Sequence, residues 1–271
     1  VLNTEQSSAN ANYMDTNETL NNKKWLWLPT VYFTRGLPYV IVFLVSLVFF
    51  NRMGLSNGTI TLLTSWFFIP FILRPLLGRV VTGYATKRFW ILAMEFLMAA
   101  SMFGISKLIT ASYWEIGSML LFIIIACAAV IHDVAVVRFY KLSISRKSPG
   151  VSSVHSVFLL MAIVVGMGIP LTLAGNLEML NRVVAKSWVS TFYLLSVTFL
   201  LLFIYHFWVL PRPKDKPSIP VRSGLTRRWW LETKTTFMQL PNYVALLSFL
   251  LLYLIPEGMF FRIAPLFLID P

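Results

Sequence analysis

Apolar residues run through this chain almost unbroken for twenty positions or more, seven times over, with polar and basic residues gathered in the gaps. The runs cover roughly 27–50, 58–80, 89–110, 114–140, 151–174, 188–210 and 243–268. About 20 apolar residues, rising 1.5 Å each, match the hydrocarbon core of a bilayer. Several runs are apolar all round, as membrane helices are and amphipathic soluble helices are not. A helix also pairs its own backbone groups, which an open chain in lipid must do. The pattern therefore predicts seven transmembrane helices. Residues 1–22, rich in Asn, Ser and Thr, lack the basic start and apolar stretch of a leader and predict a disordered cytoplasmic tail.

The gaps set the orientation. With the N-terminus inside, the cytoplasmic segments hold fifteen cations: Lys23, Lys24, Arg79, Lys87, Arg88, Lys141, Arg146, Lys147, Arg212, Lys214, Lys216, Arg222, Arg227, Arg228 and Lys234. The opposite side holds four, Arg52, Lys107, Arg182 and Lys186, and the remaining four of the 23 lie in the helices. Basic residues are retained on the cytoplasmic side, so the N-terminus is expected there. The long basic segment 211–241 predicts a cytoplasmic linker. Its stretch RRWWLETKTTFMQL predicts an interfacial helix with Trp229 and Trp230 among the lipid headgroups.

Composition agrees with this organisation. The chain of 271 residues is 57% hydrophobic and only 13% charged, with a mean hydropathy of +0.72, whereas soluble chains carry about 25% charged residues. Lipid is the partner that covers so apolar a surface. The net charge of +12 is spread between apolar runs instead of gathered on one face, which argues against nucleic-acid binding. The lone Cys127 excludes an intrachain disulfide. The sequons at Asn17 and Asn57 are patterns with a high chance rate.

Ionisable residues inside membrane helices cost roughly 2.5 to 3.5 kcal/mol on insertion scales, so each one present points to function. Arg35 and Asp133 both fall roughly 10 to 12 Å from the inner face at 1.5 Å per residue and can meet. Two readings are open: a cavity pair that an anionic substrate displaces, or a permanent ion pair holding the first and fourth helices together. Arg74 and Glu95, each about six residues from the cytoplasmic end of its helix, are expected to form a structural ion pair. Gly166, Met167, Gly168 and Pro170 predict close packing and a kink in the fifth helix. His132 and Asp133 are neighbours whose side chains point about 100 degrees apart, unsuited to joint acid-base chemistry. His155 and His206 lie on separate helices and have no partner that spacing identifies. Nucleophile motifs, zinc-ligand spacings and glycine-rich phosphate loops are missing, so no enzyme, metal or cofactor is expected.

Six helices, a basic cytoplasmic linker and a further helix form the layout of the major facilitator superfamily. The segments YFTRGLPY (32–39), RPLLGRVVTGYATKRFW (74–90) and HDVAVVRFY (132–140) resemble its muropeptide permease branch over about residues 25–271. The resemblance implies an all-α membrane protein: a six-helix bundle over 23–210 plus the first helix of a second half over 242–271, the rest of that half missing. It implies a bacterial inner-membrane permease working by alternating access on muropeptide-like or other anionic, sugar-containing solutes, with protons as a possible coupling partner. The alternative is a truncated or degenerate relative without transport activity. In the superfamily the first, fourth and seventh helices line the cavity, which places Tyr32, Arg35, Tyr39, His132, Asp133 and Glu257 near the path. Glu257 follows Pro256, which bends its helix and suits gating or cation coupling, or else it pairs with Arg262 or faces a water-filled crevice. The chain departs from the pattern where Arg35, Thr82 and Val137 replace acidic residues and Arg138 a small one. Proton coupling needs a titrating carboxylate, and Asp133 is retained.

Overall fold

The computed structural model of the chain describes residues 24–83, 85–143 and 151–212, with six further positions between 242 and 252. The tail over 1–22, the linker with Trp229 and Trp230, and the seventh span with Glu257 and Arg262 lie outside the described residues, save those six positions. Among the described residues every regular element is helical: α1 (Lys24–Arg52), α2 (Asn57–Ile72, continued by Arg74–Gly83), α3 (Lys87–Leu108), α4 (Trp114–Ser143), α5 (Val151–Asn181) and α6 (Val184–Val209). Five of them, all but α2, are long and apolar enough to cross a membrane.

Proline shapes the first two helices. Pro29 and Pro38 lie inside α1, and a π-helical turn over Ile41–Val45 follows the second. A proline has no N–H for the carbonyl four residues back, and the helix absorbs the lost bond by widening locally. α2 was expected to run unbroken over 58–80. It instead tightens to a 3-10 turn at Trp66–Phe68 and breaks at Leu73. Pro70 and Pro75 flank the break and each removes one helical N–H donor, which accounts for it. Ser56 and Thr86 cap α2 and α3, each accepting a hydrogen bond from the backbone N–H three residues on, at 3.3 and 3.2 Å. α5 and α6 reach beyond their expected limits and leave only residues 182–183 between them. Arg182 makes this turn in the left-handed region, φ 56°, with its N–H donating to the Glu178 carbonyl.

The helices pack in a scheme that maps onto itself when α1, α2 and α3 are exchanged for α4, α5 and α6. α1 neighbours α5 as α4 neighbours α2, and the α1–α4 and α3–α6 contacts map onto themselves, while the other two pairs correspond in position but not in extent: α4 packs far more on α3 than α1 on α6, and α5 far more on α6 than α2 on α3. At one end the interior is a cluster of aromatic rings, Phe49, Phe50, Phe67, Phe122, Trp188 and Phe192, and near the other end Trp27 meets Phe139 edge to face. α5 and α6 present large apolar side chains outward, among them Leu160, Val164, Ile169, Leu201 and Trp208. That surface suits lipid and would be a liability in water.

Close helix approach depends on small residues. A Cβ on Gly36 of α1 would stand 2.6 Å from the Ala162 Cβ of α5, and one on Gly166 would stand 3.0 Å from Leu37. Gly166 thus packs closely as its sequence context suggests, whereas Gly168 has open space around it. Replacing Gly36 by alanine is expected to destabilise the α1–α5 contact by about 1 to 3 kcal/mol through overpacking. Thermal unfolding in detergent checks this, and Gly36→Ala combined with Ala162→Gly should recover part of the loss.

Candidate functional site

Tyr32, Arg35 and Tyr39 fall along one face of α1, three and four residues apart. The Tyr32 ring stands edge-on to His155 of α5 with centroids 4.6 Å apart, and Tyr39 packs on Phe71 of α2. Arg35 lies between them. Its Nε donates to Asp133 Oδ1 of α4, and its Nη1 donates to His155 Nε2 at 2.9 Å. A guanidinium cannot accept a hydrogen bond, so His155 accepts at Nε2 and carries its proton on Nδ1.

A second arginine joins this site. Arg74 Nη2 lies against Asp133 Oδ2 as an ion-pair contact without hydrogen-bond alignment. The expected Arg74–Glu95 pair is therefore not formed, for two reasons visible in the fold. α2 packs chiefly on α4 and hardly on α3. The break at Leu73 also makes Arg74 the first residue of a new helical piece, aimed differently from the residues before it. Asp133 is 1% exposed, Arg35 18% and Arg74 47%. Among the described residues one buried carboxylate thus faces two guanidiniums, leaving one positive charge in excess with Arg74 open to the outside. Arg138 turns elsewhere, donating to the Gly78 carbonyl of α2 at 2.5 Å.

Glu95 has other partners. Its Oε1 faces His132 Nε2 of α4 at 3.2 Å and His206 Nδ1 of α6 at 2.7 Å, and all three side chains are fully buried. His206 Nε2 lies 3.1 Å from Thr30 Oγ1 of α1, so the cluster joins four helices. His132, grouped with the transport path by resemblance, faces this cluster and not the arginines. Its neighbour Asp133 points away from it, as adjacent helical side chains do.

At the other end of the helices, Arg52 of α1 donates from Nε to Glu178 Oε2 of α5 at 3.0 Å, and Trp188 Nε1 of α6 donates to Glu178 Oε1 at 3.1 Å. These residues border a cavity of about 340 Å³ whose floor includes Val48, Leu171 and Ala174. Glu178 lies past the expected end of the fifth span, and its engagement by Arg52 and Trp188 supports the longer helix.

The structure brings together Tyr32, Arg35, Tyr39 and Asp133 and adds Arg74 and His155. The signal for His155 was present, since an ionisable group within an apolar run needs a partner, but which partner depended on the α1–α5 contact. No group of three or more His, Cys, Asp or Glu side chains among the described residues is arranged to hold a metal ion. No model of a known protein family matches the chain, and no curated protein matches it either.

Proposed function

We propose that the chain is a transmembrane solute carrier of the major facilitator type that moves an anionic, muropeptide-like solute across a bacterial inner membrane, with its N-terminus in the cytoplasm. The observation that carries this reading is the convergence of Arg35 and Arg74 on the single carboxylate of Asp133 between α1, α2 and α4. Unbalanced charge within membrane helices is costly and persists where a ligand or ion path needs it. A substrate carboxylate can take the half-exposed Arg74 away from Asp133 and then compete for Arg35, with bidentate hydrogen bonds as the attraction. Tyr32, Tyr39 and Phe71 border the same place and offer faces on which a sugar ring can stack. The exchangeable three-plus-three packing also supports the reading, since nested inverted repeats are a feature of such carriers.

The test is uptake of labelled muropeptides into proteoliposomes containing the protein, with and without a pH gradient. Uptake is expected, and Arg74→Gln should raise the half-saturating concentration at least tenfold while the protein stays folded, since its guanidinium is the more exposed of the two. Uptake retained by the double variant Arg35→Gln/Asp133→Asn would make the pair a helix clamp and would overturn the substrate role.

A further inference from the structure

The end of the bundle away from Lys24 carries a groove that the anion site does not use. α1 is 29 residues long, about 43 Å at 1.5 Å per residue, which matches a bilayer with its headgroup layers, about 40 to 45 Å. Its last residue, Arg52, therefore sits at headgroup depth, and so does Glu178, one turn from the end of α5. Inward from this pair the cavity between α1 and α5 is walled by apolar side chains. Val48 lies one turn below Arg52, Ala174 and Leu171 lie one and two turns below Glu178, and the buried ring of Trp188 from α6 closes the cavity. Gly175 leaves one stretch of wall bare, since a Cβ there would meet nothing within 4 Å outside its own stretch of helix. Met179 lines the cavity and is also exposed, so the groove runs on into the apolar outward surface of α5.

The charges at the mouth of the groove are unequal. Arg52 Nε and Nη2 both donate to Glu178 Oε2, and Trp188 Nε1 donates to Oε1 at 3.1 Å. A guanidinium has five N–H groups. Among the described residues three of those on Arg52 remain without an acceptor, on a half-exposed side chain. Arg182 follows Glu178 by one turn, its N–H donating to the Glu178 carbonyl at 2.9 Å, and Lys186 comes just before Trp188; both side chains are exposed. Of the four cations expected on this side of the membrane, all but Lys107 thus stand around one carboxylate. Basic residues are scarce on this side, so the rule that places them opposite does not account for the gathering. Cations at headgroup depth attract anionic lipid.

We propose that this groove binds one anionic phospholipid. Its phosphate lies on the open N–H groups of Arg52, with Arg182 and Lys186 favouring a net negative headgroup, and its first acyl carbons lie along Val48, Ala174 and Trp188. A guanidinium pairs with two phosphate oxygens at once, which fixes the headgroup. The apolar wall below it removes methylenes from water in the way a free phosphate cannot use. At about 340 Å³ the cavity stands near the lower end of small-ligand pockets, about 300 to 1,000 Å³. That is room for a headgroup and the methylenes next to it, with the remaining chain lying on the outward face of α5. One such lipid touches α1, α5 and α6 together and joins their ends. The site is separate from the anion site at Arg35, Arg74 and Asp133, and it stands whether or not the chain carries a solute.

Native mass spectrometry of the full chain released from detergent micelles counts the lipids that stay bound. When phosphatidylglycerol is titrated in, the first lipid is expected to bind at least fivefold more tightly than those after it, and more tightly than phosphatidylcholine with the same acyl chains. Gly175→Leu fills the bare stretch of wall and should weaken this first binding at least fivefold, and Arg52→Gln should do the same. Gly175→Leu is expected to keep the wild-type melting temperature in lipid-free detergent, because it enters open space. Gly58→Leu, which enters open space at the start of α2 on the same side of the membrane, is the control and should bind as wild type does. Phosphatidylglycerol brominated in its acyl chains near the glycerol should quench tryptophan emission more in wild type than in Gly175→Leu, since Trp188 borders the groove. Equal affinity in wild type and Gly175→Leu overturns the proposal, as does an equal loss in Gly58→Leu. Displacement of the lipid by glycerol 3-phosphate at the same concentration would make the groove a site for free phosphate and overturn the lipid. Phosphatidylcholine binding as tightly as phosphatidylglycerol would overturn the part given to the three cations.

Discussion

Asp133→Asn is expected to abolish muropeptide uptake and to destabilise the protein by roughly 3 to 5 kcal/mol, the cost of leaving a buried charge without its counterion. The amide keeps the shape of the side chain and one oxygen acceptor, but among the described residues it removes the only negative charge facing Arg35 and Arg74. Two like charges then share a site walled by Tyr32, Tyr39 and Phe71. The half-exposed Arg74 can swing out to solvent, and Arg35, held between α1, α4 and α5, cannot follow. Unfolding in detergent measures the loss, and uptake measured at a temperature where the variant remains folded separates function from stability. The companion variant Arg35→Gln/Asp133→Asn should recover much of the stability, because the buried pair is removed as a unit. A single Asp133→Asn variant with wild-type stability would show that the two arginines are not held by this carboxylate.

The second large effect is at the four-helix junction. Glu95→Leu strands two buried imidazoles, His132 and His206, each of which loses its carboxylate acceptor at a place closed to bulk solvent. Removing one member of such a network costs more than the network itself contributes, so a loss of roughly 3 to 5 kcal/mol is expected in thermal or denaturant unfolding. Replacing all three residues with apolar side chains of similar volume should restore most of it. That asymmetry is the check: similar stability in the single and triple variants would mean the cluster holds no buried charge.

Much of the architecture was legible because the bilayer imposes a length rule on every spanning helix. Long apolar runs mark α1, α3, α4, α5 and α6 with errors of at most four residues, save the end of α5, which lies seven residues past the expected limit, and the rule acts on local sequence. α2 escaped it in part. Its run looked continuous, but Pro70 and Pro75 break the hydrogen-bond ladder, and hydropathy does not register a missing donor. The meeting of Arg35 with Asp133 followed from depth, since charges at the same level in antiparallel helices can reach each other. The same reasoning failed for Arg74 and Glu95, which also share a level, because depth says nothing about which helices are neighbours.

Local chemistry therefore decided that this chain forms apolar helices, how many residues each can use to cross a membrane, and that each ionisable residue within them requires a partner. The choice of partner belonged to the packing. Gly36 against Ala162 brings α1 onto α5 and so gives Arg35 its histidine, α2 lying on α4 gives Asp133 a second arginine, and α3 lying between α4 and α6 surrounds Glu95 with two imidazoles. Such contacts join residues about 40 to 120 positions apart. They depend on the rotation of each helix about its own axis, which near-uniform apolar runs leave unmarked until small side chains and buried polar groups select one fit.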